Sequence, residues 1–237
     1  MDQIKIILVE PAGERNIGSI ARVMKNMGCY HLTIVNPRCH HNSEDARIMA
    51  VHGVEILDNA EIVPTLPEAL KDCQKAIATT ARPRGIPTHL EKPQDCLPWL
   101  LSGRGALVFG PEDRGLSNQE LSHAQRFVCI PSNPEYPSLN LAQAVGICLY
   151  ELSKSASDNT ITDNDLDLAT LKDLEGYYQH LESLLLRVNY LYPHTAPVQM
   201  SKFRRIFNRN QLQTQEVAML RGILRQIEWH LSNEDNG

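Results

Sequence analysis

Short apolar runs that alternate with helical patterns are the feature that most constrains the fold of this chain. Most of these runs are apolar on both faces, and each has the length of one buried strand. Near-continuous apolar strands separated by helices indicate a parallel sheet covered by helices on both faces, so the predicted fold class is α/β. The predicted strands are Ile4 to Val9, Leu32 to Val35, Lys75 to Thr79, Ala106 to Phe109 and Phe127 to Ile130.

Regularly spaced apolar residues mark two helices in this part of the chain. They predict one helix over Ile17 to Gly28, with the glycine at its C-terminal end, and another over Leu139 to about Leu152. Asn16 and Ser138 precede these helices and are predicted to be their N-caps, because their side-chain oxygens suit free backbone N–H groups. A capping box over Ser117 to Glu120 predicts a further helix start.

A polar stretch divides the chain into two parts. Residues 153–164 (SKSASDNTITDN) lack aromatic residues and apolar periodicity, as is typical of a linker. Beyond them, apolar residues recur only at helical spacing, with a shorter helix predicted around Gln199 to Phe207. We therefore expect a sheet domain over residues 1–153, a linker over residues 154–164 and a small all-α domain over residues 165–237.

Composition excludes several classes of protein. A net charge of -5 and an isoelectric point near 6.0 argue against indiscriminate coating of nucleic acid. The sequence has neither an apolar run long enough to span a bilayer nor a secretory signal at its start, so we expect a cytoplasmic protein without a membrane partner. Six cysteines without a CxxC pair give no metal framework, and a polar loop explains Cys39-His40-His41, so no metal is expected.

Three segments place polar residues and glycines directly after apolar strands. They are Asn16 to Arg22, Gly110 to Ser117 and Pro131 to Asn140. In a parallel sheet these strand ends share the edge where ligands bind, although each segment alone is also explained by a helix cap or a turn. The chain lacks GxGxxG, GxxxxGK[ST] and GxSxG, which argues against a dinucleotide fold, a P-loop and a serine nucleophile elbow.

In this order, the motifs NxGSxAR, FGPExxGL and IPSNPEYPSLNLAQAV resemble the three motifs of the SpoU-type ribose 2'-O-methyltransferases of the SPOUT superfamily. The stretch from Met200 to Leu224 is similar to members that methylate nucleotide 32 of tRNA. The resemblance implies a trefoil knot at the C-terminal end of the sheet domain. It also implies S-adenosyl-L-methionine as methyl donor, no metal, a tRNA substrate and a homodimer with the active site near its interface.

The resemblance also implies site residues. Cofactor binding is expected at Thr79, Thr80, Ala81, Gly110, Ile130, Ser138 and Leu139. Catalytic roles are expected for Arg22, Asn16, Glu112, Ser138 and Asn140. The family usually has serine at the position of Thr80 and a small polar residue at that of Pro137. Because a guanidinium almost never gives up its proton, we assign Arg22 to holding the reacting ribose and its phosphate rather than to removing a proton.

Positive charge concentrates near the C-terminus, with Glu216 the single acid between residues 202 and 225. Such a bias is typical of a surface that follows RNA phosphates. Phe203, Ile206 and Phe207 are predicted to take the core face of their helix. The residues expected to bind RNA are Lys202, Arg204, Arg205, Arg209, Arg221 and Arg225.

The predicted function is S-adenosylmethionine-dependent 2'-O-methylation of the ribose of cytidine or uridine at nucleotide 32 in the tRNA anticodon loop. One alternative is a related ribose methyltransferase for another nucleotide of tRNA or ribosomal RNA. Another is a catalytically idle RNA-binding module on the same fold. Intact Asn16, Arg22, Glu112 and Ser138 argue against the idle module.

Overall fold

The computed structural model describes residues 1–81, 89–158 and 167–234, and the chain divides into two compact units, Met1–Asn164 and Asp165–Gly237. Residues 154–158, which the polar composition assigned to a linker, are helical and form the end of a longer helix. The other linker residues, 159–164, lie outside the described residues. No helix in the described ranges combines the length and apolar character needed to cross a bilayer.

The first unit contains a seven-stranded sheet in which every pair of neighbours is parallel, which confirms the predicted parallel α/β class. The strand order is β3-β2-β1-β6-β4-β7-β5. Every residue of β6 is buried, so both faces of the sheet centre are covered. The strands are β1 (Ile4–Val9), β2 (His31–Val35), β3 (Glu61–Val63), β4 (Lys75–Thr79), β5 (Leu90–Glu91), β6 (Gly105–Phe109) and β7 (Arg126–Val128).

Seven α-helices are described in the first unit, and their starts differ in part from the predicted ones. The capping box at Ser117 and Glu120 is confirmed, and Gly28 follows the first helix with a φ of +66°. The helices are α1 (Glu14–Asn26), α2 (Glu44–Ala50), α3 (Val54–Asp58), α4 (Leu66–Leu70), α5 (Pro93–Cys96), α6 (Asn118–Leu121) and α7 (Leu141–Asp158).

Both predicted caps at the sheet edge are wrong. Gly13 is the N-cap of α1, so Asn16 lies inside the first turn and its side chain is free for other contacts. Helix α7 begins three residues after Ser138, and Asn140 caps it instead. The Oδ1 atom of Asn140 accepts hydrogen bonds from the backbone N of Ala142 at 2.9 Å and of Gln143 at 3.4 Å.

Helix α1 lies unusually close to its neighbours because glycines remove the side chains between them. A Cβ added at Gly18 would lie 2.1 Å from the backbone O of Ala46 in α2. A Cβ added at Gly53 would lie 2.7 Å from the backbone O of Ala21. Larger residues at either glycine would therefore displace α1, which carries the first of the three motifs.

The described part of the second unit contains three helices, α8 (Leu171–Arg187), α9 (Ala196–Asn208) and α10 (Thr214–Glu234). Thr170 and Asp173 form a capping box at the start of α8. Val217 and Leu224 of α10 are buried, whereas Ile227 of the same helix is 41% exposed. Ile206 is 57% exposed, so its predicted place on the core face of α9 is wrong.

Candidate functional site

A cavity of about 350 Å³ opens at the carboxyl ends of β4, β6 and β7. Its wall consists of the loops that follow these strands and of the segment that leads into α7. The structure brings all the residues expected to bind the cofactor to this one cavity, where they form part of its lining: Thr79, Thr80, Ala81, Gly110, Ile130, Ser138 and Leu139.

The lining has the mixed chemistry that an adenosyl ligand requires. Apolar side chains such as Phe109, Val128 and Leu141 provide surface for an aromatic base. Hydroxyl groups of Thr79 and Ser138 and the backbone groups of the loops provide polar partners. The Thr79 hydroxyl donates a 3.1 Å hydrogen bond to the backbone O of Val108, which fixes its rotamer at the cavity wall.

Gly110 is required by the shape of the loop that forms one wall. A Cβ added there would lie 2.3 Å from the backbone N of Leu116 and 2.5 Å from the backbone C of Gly115. The loop therefore folds back directly onto Gly110. A side chain at this position would displace the loop before it reached any ligand.

Two arginines, which sequence analysis did not select, hold this loop. Arg114 forms an ion pair with Glu10 at 3.0 Å and a two-pronged pair with Glu120 at 2.8 and 2.9 Å. Arg38 forms a second two-pronged pair with Asp113, at 2.8 and 3.0 Å. Hydrogen bonding to Glu120 and then to Glu10 raises the pKa of Arg114 above its usual range. In the sequence, these contacts are signalled only by the charged run at residues 112–114. Its partners Glu10 and Arg38 follow β1 and β2, and Glu120 lies in α6.

A chain of hydrogen bonds joins the three motifs beside the cavity. Asn16 donates through Nδ2 to Glu112 Oε1 at 2.9 Å, and Asn140 donates through Nδ2 to Asn16 Oδ1 at 3.0 Å. Glu112 also accepts from the backbone N of Ala12 at 3.1 Å and of Gly13 at 3.2 Å. Three of the five predicted catalytic residues therefore form one connected network.

These contacts set the charge state of Glu112. Burial alone would raise its pKa, but hydrogen bonds from Asn16 and from the backbone N–H groups of Glu112, Ala12 and Gly13 together lower that pKa below its ordinary value of 4.5. The network is therefore built around an ionised carboxylate at neutral pH.

Glu112→Gln is expected to lower the free energy of unfolding at pH 7 by about 1 kcal/mol, since an amide cannot accept all the donors that the carboxylate accepts. A carboxylate with a lowered pKa stabilises the fold above its ordinary value of 4.5, and this contribution is lost as pH falls through its folded value. The difference in melting temperature between wild type and Glu112→Gln should therefore narrow below pH 4.5. Thermal unfolding from pH 7 to pH 3 measures this, and a constant difference would contradict it.

Arg22 and Ser138, the other two predicted catalytic residues, are both exposed and lie apart from this network. Arg22 lies on α1, about 9 Å further along the helix than Asn16 by helical rise. Among the described residues, it has no hydrogen-bond or ion-pair partner. Ser138 lines the cavity. The donor groups of Arg22 are therefore not taken up by other described residues and can meet a ligand.

The basic residues of the second unit do not all face solvent. Arg204 forms a two-pronged ion pair with Glu175 at 2.6 and 2.8 Å, and its guanidinium lies 4.5 Å from the centre of the Tyr178 ring. Arg221 packs over Gly176, where a Cβ would lie 3.3 Å from its Nη1 atom. These two arginines therefore contribute to the packing of the unit. Arg205 is half-buried, and the exposed members of the predicted set are Lys202, Arg209 and Arg225.

Arg204→Ala is expected to lower the free energy of unfolding by about 1–3 kcal/mol, because it removes the two-pronged ion pair with Glu175 from a largely buried site. Arg209→Ala is the matched control and should change stability by less than about 0.5 kcal/mol, since Arg209 is exposed. Urea unfolding of the two variants compares these values. An equal decrease in the free energy of unfolding in both variants would contradict the structural role of Arg204.

Metal-binding side chains are not grouped in the described part of the chain: no cluster of three His, Cys, Asp or Glu side chains is placed to hold an ion. The rings of His40 and His41 stack at 5.8 Å, and the Cys39 thiol lies 3.5 Å from the backbone O of Pro11. These contacts are those of a folded loop.

The cavity at the carboxyl edge of the sheet is lined by the second and third motifs, and Asn16 of the first motif is hydrogen-bonded to both. Together with the parallel sheet, this is the arrangement expected of a methyltransferase of the SpoU class. Residues 3–150 match the SpoU rRNA Methylase family, and the chain belongs to this family. Residues 172–236 match the C-terminal domain of the tRNA methyltransferase TrmJ.

Proteins named TrmJ are similar to this chain over nearly its whole length. The tRNA (cytidine/uridine-2'-O-)-methyltransferase TrmJ of Klebsiella pneumoniae subsp. pneumoniae is 38% identical, covering 96% of this chain and 97% of the relative. The tRNA (cytidine/uridine/adenosine-2'-O-)-methyltransferase TrmJ of Pseudomonas aeruginosa is also 38% identical, covering 96% of this chain and 95% of the relative. The crystal structure of TrmJ from Z. mobilis ZM4 has a TM-score of 0.86 at 33% identity, covering 94% of this chain and 98% of that one.

Proposed function

We propose that this chain is a cytoplasmic, S-adenosyl-L-methionine-dependent tRNA methyltransferase that modifies the ribose 2'-hydroxyl of cytidine or uridine at nucleotide 32 in the anticodon loop. The observation that carries the proposal is the junction of three motifs at one sheet edge. There, the Asn16–Glu112–Asn140 chain adjoins a cavity lined by the seven expected cofactor residues. The match of residues 172–236 to the TrmJ C-terminal domain supports tRNA as the substrate.

The division of labour follows from the residues around the cavity. S-adenosyl-L-methionine, when bound, supplies an electrophilic methyl group. The chain therefore has to bind the donor, orient it toward the acceptor hydroxyl and exclude water. The loops at residues 79–81, 110–116, 130 and 137–139 would hold the donor. Leu139 lines both this cavity and an open groove between α1 and α7, which adjoins Asn140.

Asn16 is a positioning residue in this proposal. Both ends of its amide are engaged, the Nδ2 atom with Glu112 and the Oδ1 atom with Asn140. It therefore fixes the first turn of α1 against the cap of α7, whereas Arg22, with free donors, holds the ribose and its phosphate. Ser138, which lines the cavity, would complete the donor site.

The homodimer belongs to the same proposal. The groove between α1 and α7 is lined by small and apolar residues such as Val23 and Gly146, and Ile147 and Tyr150 of α7 are exposed at 38% and 55%. Pairing of this face with a second copy would bury these residues and place the interface next to the cavity, because Leu139 lines both.

The family fold supports the proposed trefoil knot in the sheet domain. Thr79, Thr80 and Ala81, which the resemblance assigns to it, are followed by residues 82–88, which lie outside the described residues. We also propose that residues 165–237 form the all-α tRNA-binding domain. The exposed Lys202, Arg209 and Arg225 would contact phosphates, together with the half-buried Arg205.

Methylation mapping tests the proposed function. Purified protein is incubated with labelled donor and tRNA transcripts that carry cytidine, uridine or adenosine at nucleotide 32, with a 2'-deoxyribose at that position as the matched control. Methylation of the cytidine and uridine transcripts that disappears with the deoxyribose is the expected result. Methylation that survives the deoxyribose would assign another nucleotide. Binding of tRNA without any methylation in the presence of donor would favour the idle module.

A further inference from the structure

The loop between α8 and α9 presents three aromatic rings to solvent. Tyr190 is 65% exposed and Tyr192 is 55% exposed, and His194 is exposed as well. The rings of Tyr192 and His194 lie 6.0 Å apart and nearly parallel, at an angle of 24°. Large aromatic side chains contribute most to stability when buried, so three exposed rings on one short loop gain little for the fold.

The backbone of this loop is held firmly. Leu191, between the two tyrosines, is 3% exposed and anchors the loop in the unit. The backbone N atoms of Tyr190 and Leu191 donate to the backbone O of Leu185 at 2.9 and 3.0 Å. At the other end, the backbone N of Thr195 donates to the backbone O of Tyr192 at 2.9 Å. Burial of Leu191 and outward display of its neighbours are therefore built into the loop.

The charged side chains of the segment that contains the loop have one sign. Between residues 183 and 203, Arg187 and Lys202 are the only Asp, Glu, Lys or Arg residues, and both are exposed cations on the helices that flank the loop. Aromatic faces between cations are the surface on which unpaired bases of RNA stack while nearby phosphates are neutralised.

We propose that Tyr190, Tyr192 and His194 form a stacking platform for unpaired bases of the tRNA substrate. This inference rests on the proposed function and adds a recognition element outside the phosphate-contacting arginines. Because stacking depends on the ring face and tolerates any base, the platform would contribute affinity for exposed loop nucleotides without reading their identity.

Fluorescence anisotropy with labelled tRNA tests the platform in the full-length protein. Tyr190→Ala and Tyr192→Ala should each raise the Kd by roughly 5- to 100-fold, the usual effect of losing one base–aromatic stack. Tyr192→Phe keeps the ring and should stay within about two-fold of wild type, and Val188→Ala is the control for an exposed apolar side chain in the same loop. The slope of log Kd against log salt should not change, because no phosphate contact is lost.

The result separates this inference from the proposed function. If wild-type protein methylates and binds tRNA while Tyr190→Ala and Tyr192→Ala bind it equally well, the platform is wrong and the proposed function stands. A Kd raised equally by Tyr192→Phe and Tyr192→Ala would also overturn stacking. If the alanine variants change the oligomeric state in size-exclusion chromatography and leave the Kd unchanged, the loop is a protein contact instead. If wild-type protein neither binds nor methylates tRNA, the proposed function and the platform both fail.

Discussion

Exchange of Arg22 for lysine is expected to lower the turnover of tRNA methylation by at least about 100-fold while donor affinity stays within about two-fold of wild type. Arg22 is exposed and, among the described residues, has no partner that would occupy its guanidinium. Lysine keeps the charge but loses the planar fork that holds a phosphate and a hydroxyl together. Single-turnover kinetics with saturating donor measure the turnover, and calorimetry with S-adenosyl-L-homocysteine measures the affinity.

A pH series decides between positioning and proton removal by Arg22. If Arg22 were the general base, lysine, with an ordinary pKa of about 10.4, would recover activity as the pH rises. For a positioning role, the variant and the wild type should respond to pH in parallel. Arg15→Ala is the matched control, since Arg15 is an exposed arginine on the same helix that contacts Asp45 at 3.5 Å. Recovery of Arg22→Lys alone at alkaline pH would contradict the positioning role.

The contrast between Asn16 and Arg22 shows how one helix serves two purposes. Asn16 is tied to two other motifs, so the first turn of α1 has a fixed position relative to the cavity. Arg22 follows almost two turns later without a partner among the described residues, and glycines at positions 18 and 53 bring this helix close to its neighbours. The guanidinium would therefore be presented from a rigid base, as the proposed contact with a ribose and its phosphate requires.

The sheet was predictable because its central strands are apolar on both faces. Every residue of β6 is buried, and such a continuous run has no other stable place in a domain of this size. The edge strands β3 and β5 carried no such signal. β3 has three residues, of which Glu61 and Ile62 are exposed, and β5 has two half-buried residues. Their pairing depends on neighbouring strands rather than on their own pattern.

The caps of α1 and α7, unlike the capping box of α6, could not be predicted from local sequence, because distant residues compete for the same side chains. Asn16 suits an N-cap, but its Oδ1 atom accepts from Asn140 and its Nδ2 atom donates to Glu112, 96 residues away, which leaves the cap to Gly13. Asn140 rather than Ser138 caps α7, since it also reaches Asn16. Local propensity gave the correct residue types at the edge, and tertiary contacts decided their roles.

In the second unit, the sequence likewise could not show which basic residues face solvent. The basic residues of α9 and α10 were assigned to RNA as a group because their spacing gives no sign of internal partners. Glu175 of α8 takes Arg204 into an ion pair over the Tyr178 ring, and Ile206 is left exposed instead. An arginine that covers apolar surface with its stem and stacks on an aromatic ring cannot be distinguished in sequence from one that faces solvent.

Gly110→Ala is expected to abolish detectable donor binding, although it adds a single methyl group. The new Cβ would lie 2.3 Å from the backbone N of Leu116, a contact that no side-chain rotation relieves. The loop would have to move, and with it Glu112 and the wall of the cavity that Arg114 holds through Glu10. Overpacking of this kind costs about 1–3 kcal/mol, so the melting temperature should fall as well.

Gly222→Ala is the matched control for this prediction, because the nearest atom that its Cβ would meet is Arg225 Nη2 at 3.9 Å. It should keep donor binding and gain up to about 1 kcal/mol of stability from the higher helix propensity of alanine. Calorimetry with S-adenosyl-L-homocysteine in EDTA, alongside thermal unfolding, measures both variants. Circular dichroism establishes that Gly110→Ala remains folded, so that lost binding is assigned to the loop. Donor affinity of folded Gly110→Ala equal to that of Gly222→Ala would show that the wall of residues 110–116 does not form the donor site.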